Sequence, residues 1–322
     1  MRGLPRPLIY RLIFLFCGNL VLLLLIRLLL KEGASFSQVL SRAGPDCAPT
    51  ILAGLGMTGI ILTGAIDLSI AGIVAVSAST FGVCVYWNLP PLVCYAVCAV
   101  TAWLLASFNG RLVRWLGVPA LIVTLAGLTF YRGVALIVTD LGIPDFGGNL
   151  SVHADQYHEP GKLYAGSILA VMLAFAMLWE AFGEIPRRWL ALGNSREACC
   201  LQGLNVDHIL QSAFSSGGIF FAAGTLIEVT QIQAIEPARI AVGFELQVIG
   251  AVVLGGTNIF GGEGCYLGAV LGAFFLYFTE QVLIYAGVSP YLQDVIIGGA
   301  IIVVIAMDCA LHKKRKRLEE LA

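Results

Sequence analysis

Charged residues are scarce in this sequence of 322 residues. Asp, Glu, Lys and Arg together make up 12% of it, whereas hydrophobic residues make up 58%. A soluble globular domain carries about 25% charged residues, so this composition excludes a water-soluble protein with an ordinary polar surface. Apolar runs of about 20 residues, the length that a helix needs to cross the hydrocarbon core, recur along the chain. We therefore expect an all-α integral membrane protein.

Motifs for nucleotide binding, metal binding and catalysis are also absent from the sequence. No Gly-x-x-x-x-Gly-Lys-Ser/Thr string occurs, so the chain has no P-loop for ATP. The nine cysteines include no C-x-x-C pair and no Cys/His spacing of a zinc site. The four histidines are scattered over loops. The sequence predicts no catalytic residue, no metal site and no cofactor.

Apolar runs predict about ten membrane spans, some of them short or broken. The predicted spans are 12–30, 48–66, 69–87, 91–108, 118–139, 162–180, 212–232, 246–258, 264–285 and 292–310. With the N-terminus in the cytoplasm, thirteen Lys and Arg residues fall inside and four outside, in agreement with the positive-inside rule. We expect cytoplasmic N- and C-termini and a single transmembrane domain over residues 1–322. A loop at about 180–211 and a basic tail at 311–322 would then be cytoplasmic, the tail being typical of a stop-transfer cluster and not of nucleic-acid binding.

The predicted inner loop contains a helix–break–helix pattern. Asn194 and Glu197 have the spacing of a capping box, and Gly203 is suited to end the helix that follows. Asn205 offers the N-cap of a second helix, with Asp207 in its first turn. A short helix along the membrane face can be moved as a rigid body by a soluble partner. An ordinary amphipathic connector would have the same pattern.

We single out five polar side chains within or beside the predicted spans. They are candidates for the transport pathway or for structural roles, because ionisable groups at depth are costly unless paired or hydrated. For Asp67 and Ser69 we favour a carboxylate cap on the third helix over contact with a ligand. We expect Arg132 to pair with Glu228 or Glu280. The five residues are Asp67, Ser69, Arg132, Glu228 and Glu280.

Small residues recur every four positions in two predicted spans. Gly264, Gly268 and Gly272 form one face of the ninth span, and Ala71 and Ala75 belong to such a face of the third. Small side chains let helix backbones approach closely in a membrane. We favour packing within one chain over a seam between subunits.

Seven strings, in order along the chain, resemble the ribose/xylose/autoinducer-2 group of ABC importer permeases. The resemblance extends from about residue 50 to residue 308, and the order of the strings is more specific than any single string. The strings are Thr63–Gly72, Gly117–Leu125, Tyr131–Gly133, Ala191–Ala198, Gly203–Val206, Gly243–Leu246 and Gly250–Gly264.

The resemblance implies a multi-pass permease of the inner membrane that is surrounded by lipid. It implies pairing with a second copy or a paralogue, a cytoplasmic ABC ATPase subunit and a periplasmic substrate-binding protein. The inner-loop helix would be the coupling helix that docks on the ATPase, and the residues carried over are Asn194, Glu197, Ala198, Gly203 and Leu204.

The expected function is import of a sugar, either a ribose/xylose-like monosaccharide or a related small polyol, with ATP hydrolysed by a separate subunit. One alternative is an ABC permease for autoinducer-2, a nucleoside or a branched-chain amino acid. The other is a secondary transporter that works alone, which would require inverted repeats and an ion site. No convincing internal repeat is evident in the sequence.

Overall fold

The computed structural model describes residues 6–30, 35–143, 155–232, 235–303 and 306. Throughout this part of the chain the regular structure is α-helical. The helices are α1 Arg6–Leu29, α2 Phe36–Leu62, α3 Ile70–Tyr86, α4 Pro91–Leu116, α5 Ala120–Gly142, α6 Asp155–Phe182, α7 Glu184–Asn194, α8 Arg196–Leu201, α9 Val206–Gln231, α10 Phe244–Leu254, α11 Tyr266–Tyr285 and α12 Pro290–Val303.

Ten of these helices correspond to the ten predicted spans. Seven are long and apolar enough to cross a membrane, and α3, α10 and α12 are shorter apolar helices. The remaining two, α7 and α8, form the predicted inner loop. The expectation of an all-α integral membrane protein is confirmed, while the sidedness of the termini stays a prediction. The basic tail at 311–322 lies outside the described residues.

The second span begins earlier than its predicted start at residue 48. Helix α2 starts at Phe36 and continues through Pro45 and Pro49. Polar residues in this stretch, such as Arg42 and Asp46, interrupt the apolar run and hide the helix from a hydropathy analysis. Prolines are tolerated inside membrane helices because neighbouring groups satisfy the freed backbone carbonyls. Here the Gln231 Nε2 atom donates to the Pro45 carbonyl oxygen at 2.7 Å.

Helices α2 and α9 form the centre of the bundle. In each long helix we compare the most apolar stretch of 18 residues. The buried share of this stretch is 89% in α2 and 78% in α9, but only 17–28% in α1, α4, α5 and α6. The two central helices are also the least apolar of the seven long ones, with a mean hydropathy of 1.3. Buried helices contact other helices instead of lipid, so they can carry glycine, threonine and serine at their contacts.

Small residues bring helix pairs close together within the chain. A Cβ atom on Gly56 of α2 would lie 2.7 Å from the Gly217 carbonyl oxygen of α9. Gly268 and Gly272 of α11 face the backbone of Gly255 and Ala251 in the same way. The interpretation of the ninth-span glycines as contacts within one chain is therefore confirmed for these two positions.

Candidate functional site

Helix α7 is an amphipathic helix that lies against the ends of the membrane helices. Its buried face consists of Pro186, Trp189 and Leu192, while Glu184 and Arg188 form an exposed ion pair at 3.1 Å on the other side. Proline is compatible with the first helical turn, where its missing N–H has no intrahelical partner. The apolar face therefore holds α7 on the bundle.

Trp189 is the main anchor of α7. The side chain is fully buried, and its indole Nε1 donates to the Ser212 Oγ of α9 at 2.9 Å. The ring also meets Trp179 of α6 edge to face, with the ring centroids 5.3 Å apart. It lies against Gly59 of α2, where an added Cβ would be 2.9 Å from the ring. Sequence reasoning missed Trp189, although its spacing from Pro186 and Leu192 on one helical face was a usable signal.

The cap of helix α8 differs from the predicted capping box. Asn194 is the last residue of α7, and Ser195 is the N-cap, with extended backbone and an Oγ that accepts from the Ala198 N–H at 3.1 Å. The prediction that Asn194 caps this helix through the spacing to Glu197 is therefore wrong by one residue. Serine caps as well as asparagine does, and the Asn194 side chain has other partners.

The break between α8 and α9 follows the prediction. Gly203 has φ of +73°, and the Leu204 N–H donates to the Cys199 carbonyl oxygen at 3.0 Å, as in a Schellman motif. Asn205 caps α9 by accepting a hydrogen bond at Oδ1 from the His208 N–H at 3.1 Å. Gly203 as the helix end and Asn205 as the next N-cap are both confirmed.

Helix α8 presents an exposed apolar surface. Leu201 is 90% exposed, and Ala198 and Cys200 are exposed beside it, whereas Cys199 is buried and holds the helix on the bundle. We refer to α7, α8 and the break at residues 202–205 as the coupling segment. Leu201 is the most exposed large hydrophobic side chain of that segment, and the resemblance did not single it out.

The five carried-over residues do not share one surface. Glu197, Ala198 and Gly203 are exposed, and Leu204 is half-buried against the core. Asn194 uses its amide to reach inward: Nδ2 donates to the Leu190 carbonyl oxygen at 2.8 Å and to the Gly262 carbonyl oxygen at 3.1 Å. The Asn194 amide therefore connects the coupling segment to the turn between α10 and α11.

Glu180 makes a second connection to that turn. Both of its carboxylate oxygens accept from the Tyr266 N–H at the start of α11, at 3.2 and 3.3 Å. Cys265, at the N-cap position of α11, makes no side-chain cap of its own. Glu180 from α6 thus supplies a cap that a local sequence pattern could not reveal.

Asp67 and Ser69 lie in a buried polar network at the break between α2 and α3. Asp67 Oδ1 accepts from the Ser69 N–H at 2.8 Å and from the Ser69 hydroxyl at 2.6 Å. The Ser69 Oγ accepts from Asn109 Nδ2 of α4 at 2.6 Å, and Asn109 Oδ1 accepts from the Tyr131 hydroxyl of α5 at 2.6 Å. All four side chains are buried, so the network ties three helices together.

Arg132 does not contact either of the predicted glutamates. Its guanidinium donates to the carbonyl oxygens of Ile240 at 3.3 Å and Ala241 at 3.1 Å. The predicted pairing of Arg132 with Glu228 or Glu280 is therefore wrong. The segment that supplies these carbonyls is a turn ahead of α10, so the arginine connects α5 to this turn.

Glu228 lines a small cavity between α2, α3, α9 and the start of α10. Thr225 is a second polar residue in a lining that is otherwise apolar, and Glu280 does not line this cavity. The cavity lining is Pro49, Ala53, Ile70, Val74, Phe221, Gly224, Thr225, Glu228, Ala241 and Phe244.

Comparison with known proteins gives a consistent result. The family model for the permease component of the branched-chain amino acid transport system matches residues 46–305. The autoinducer 2 import system permease protein LsrC of Escherichia coli (strain K12 / DH10B) is 32% identical over 295 residues, covering 87% of this chain and 83% of its own length. The ribose import permease protein RbsC of Haemophilus influenzae is 29% identical over 306 residues, covering 93% and 94%.

The family model covers more than half of the chain, and these relatives are aligned over most of their length. No solved structure matches the chain. The bundle of apolar helices and the motif order agree with this assignment. The chain belongs to the family of ABC importer permeases, as the resemblance of its motifs indicates.

Proposed function

We propose that this chain is the membrane-spanning subunit of an inner-membrane importer for a sugar-like solute, with ATP hydrolysed by a separate cytoplasmic subunit. The observation that carries the proposal is the coupling segment: the short helix α8 exposes the apolar side chain of Leu201, and the buried Trp189 of α7 holds the segment on the bundle. Such an element can transmit force from a soluble partner. The chain itself has no P-loop to bind nucleotide.

The ATPase is proposed to dock on α8. Leu201 is 90% exposed on a segment that also carries charged residues. Burying a leucine side chain in a partner's groove contributes about 1.5–3 kcal/mol. Glu197, Ala198 and Gly203 lie on the same accessible part of the loop. We propose in addition that the coupling segment and both termini lie in the cytoplasm and that residues 1–322 form one transmembrane domain.

The solute class follows from the relatives. One relative is named for ribose import and another for autoinducer 2 import, so we propose a ribose/xylose-like monosaccharide or a small polyol as the solute. Autoinducer 2 is the second candidate, because relatives named for it are 32% identical to this chain. Glu228 is proposed to line the pathway, since a carboxylate and a threonine hydroxyl can bind solute hydroxyl groups.

The proposed transport cycle needs three further partners. A periplasmic binding protein delivers the solute to the outer face, near residues 140–161 and 233–245. A second permease copy or a paralogue completes the pathway, and lipid covers the apolar helices. ATP binding then moves the coupling segments, and the pair switches from outward to inward opening, because the nucleotide binds the two states with different affinity.

Co-purification with the tagged chain tests the docking. Leu201→Ala should reduce recovery of the ATPase subunit, because losing about 1.5–3 kcal/mol weakens binding roughly 10- to 100-fold. The control is Gln202→Ala, which alters an exposed neighbour without removing an apolar side chain. Equal recovery with both variants would place the ATPase elsewhere. Uptake of labelled ribose, xylose and autoinducer 2 by the reconstituted complex then distinguishes the solutes.

A further inference from the structure

We infer that movement of the coupling segment reaches the membrane helices through a three-way backbone contact, which we call the glycine junction. It consists of Leu62–Gly64 at the end of α2, Gly193–Asn194 at the end of α7, and Gly261–Gly262 in the turn between α10 and α11. The inference rests on the proposed function and assigns to this contact the transmission of ATPase-driven motion.

The three segments pack so closely at Gly193 that there is no space for a side chain at this position. A Cβ atom at this position would overlap the Leu62 carbonyl oxygen and the Gly262 nitrogen, and it would lie 3.0 Å from the Gly261 carbonyl carbon. The Gly262 N–H donates to the Leu62 carbonyl oxygen at 3.0 Å. A Cβ on Gly261 would lie 2.7 Å from the Gly64 nitrogen. The end of α7 therefore cannot move toward the bundle without displacing both partners.

The turn that receives this contact is itself held in one conformation. Gly261 and Gly262 have φ of +92° and +77°, a region that favours glycine. Asn258 Oδ1 accepts from the Phe260 N–H at 3.0 Å, and the Asn258 N–H donates to the Glu263 carbonyl oxygen at 2.8 Å. These bonds make the turn a closed unit that moves as one piece.

The end of α7 and the end of α6 hold this turn from two sides. Asn194 Nδ2 donates to the Gly262 carbonyl oxygen near the end of α7, and Glu180 accepts from the Tyr266 N–H just before α7 begins. A displacement of α7 therefore carries the α10–α11 turn with it. Asn194 acts in this arrangement as a positioning residue inside the permease and not as a contact to the ATPase.

The other arm of the junction leads to the buried polar network. Gly64 lies three residues before Asp67, and the short segment between them is not helical. The Thr124 hydroxyl of α5 lies within hydrogen-bond distance of the Ile66 carbonyl oxygen, at 3.1 Å, and of the Ala120 carbonyl oxygen in its own helix, at 3.0 Å. Asp67 connects through Ser69 to α4 and α5. A shift at the junction is therefore passed to α3, α4 and α5 through contiguous hydrogen-bonded contacts.

Amide hydrogen exchange on the reconstituted complex of this chain and its ATPase subunit tests the inference. Addition of a non-hydrolysable ATP analogue should change exchange in the parent at 196–203, where the ATPase docks, and also at 63–69 and 255–265. Asn194→Ala removes the hydrogen bond to Gly262, and a second one to Leu190 within α7, without adding atoms. In this variant the change at 196–203 should remain. The change at 63–69 and 255–265 should shrink severalfold.

Two further variants complete the design. Gly193→Ala adds a Cβ inside the junction and should abolish the distant change, while Gly133→Ala adds one on α5 where no atom lies within 4 Å and should behave like the parent. If Gly193→Ala does not fold, Asn194→Ala decides the question alone. Distant changes equal to those of the parent in Asn194→Ala would overturn the inference. No change at 196–203 in the parent would instead refute the proposed docking itself.

Discussion

Replacing Trp189 with alanine tests whether one buried side chain holds the coupling segment on the membrane helices. The ring fills a site between Gly59 and Trp179, and its N–H donates to Ser212. Core Trp→Ala changes cost about 3–5 kcal/mol. The lower value applies here, because the Ser212 hydroxyl still donates to the Ile209 carbonyl oxygen at 2.6 Å and no buried donor loses its partner.

Amide hydrogen exchange over residues 184–194 measures this cost directly, because protection reports the free energy of local opening. A loss of about 3 kcal/mol should accelerate exchange there roughly 100-fold. Trp189→Phe keeps an aromatic ring but loses the indole N–H, so exchange should rise about tenfold or less. Trp115→Ala is the matched control, because this indole is 81% exposed at the end of α4. Equal protection of 184–194 in Trp189→Ala and Trp115→Ala would refute the reasoning.

Three other predictions concern the ends of the same region. Ser195→Ala removes the cap that accepts from Ala198 and should destabilise α8 by about 0.5–2 kcal/mol, measured as faster exchange over 196–201. Glu180→Ala should lower the melting temperature of the purified protein more than Glu180→Gln, because the amide oxygen can still accept from the Tyr266 N–H. Cys200 is exposed, so a membrane-impermeant maleimide should label it in inside-out vesicles and not in right-side-out vesicles. The reverse labelling would place the coupling segment outside.

The helical membrane fold could be predicted from the sequence because lipid imposes a simple rule on it. Backbone groups cannot remain unpaired in hydrocarbon, so long apolar runs must be helices. The rule works less well for buried helices, because these helices contact polar groups of the protein instead of lipid. The start of α2 at Phe36, well before residue 48, illustrates this, since Arg42 and Asp46 interrupt the hydropathy signal.

Local capping signals were informative within about one residue. Gly203 and Asn205 were predicted correctly because each acts on backbone groups only two to four positions away. The cap of α8 was assigned to Asn194 and is Ser195, because adjacent residues with similar cap preference cannot be distinguished by spacing. Because Ser195 caps α8, the Asn194 side chain is available to donate to the Gly262 carbonyl oxygen.

The sequence by itself determined the helical membrane fold, the ten apolar segments and the helix–break–helix pattern of the coupling segment, because lipid and local backbone hydrogen bonding act over short stretches of chain. Only the tertiary structure decided that Arg132 contacts the Ile240 carbonyl, that Glu180 caps α11 and that Gly193 meets two distant turns. These contacts join residues far apart in sequence. Such partners are brought together by the shapes of the packed helices, and no periodic pattern of residues along the sequence reveals which helices pack together.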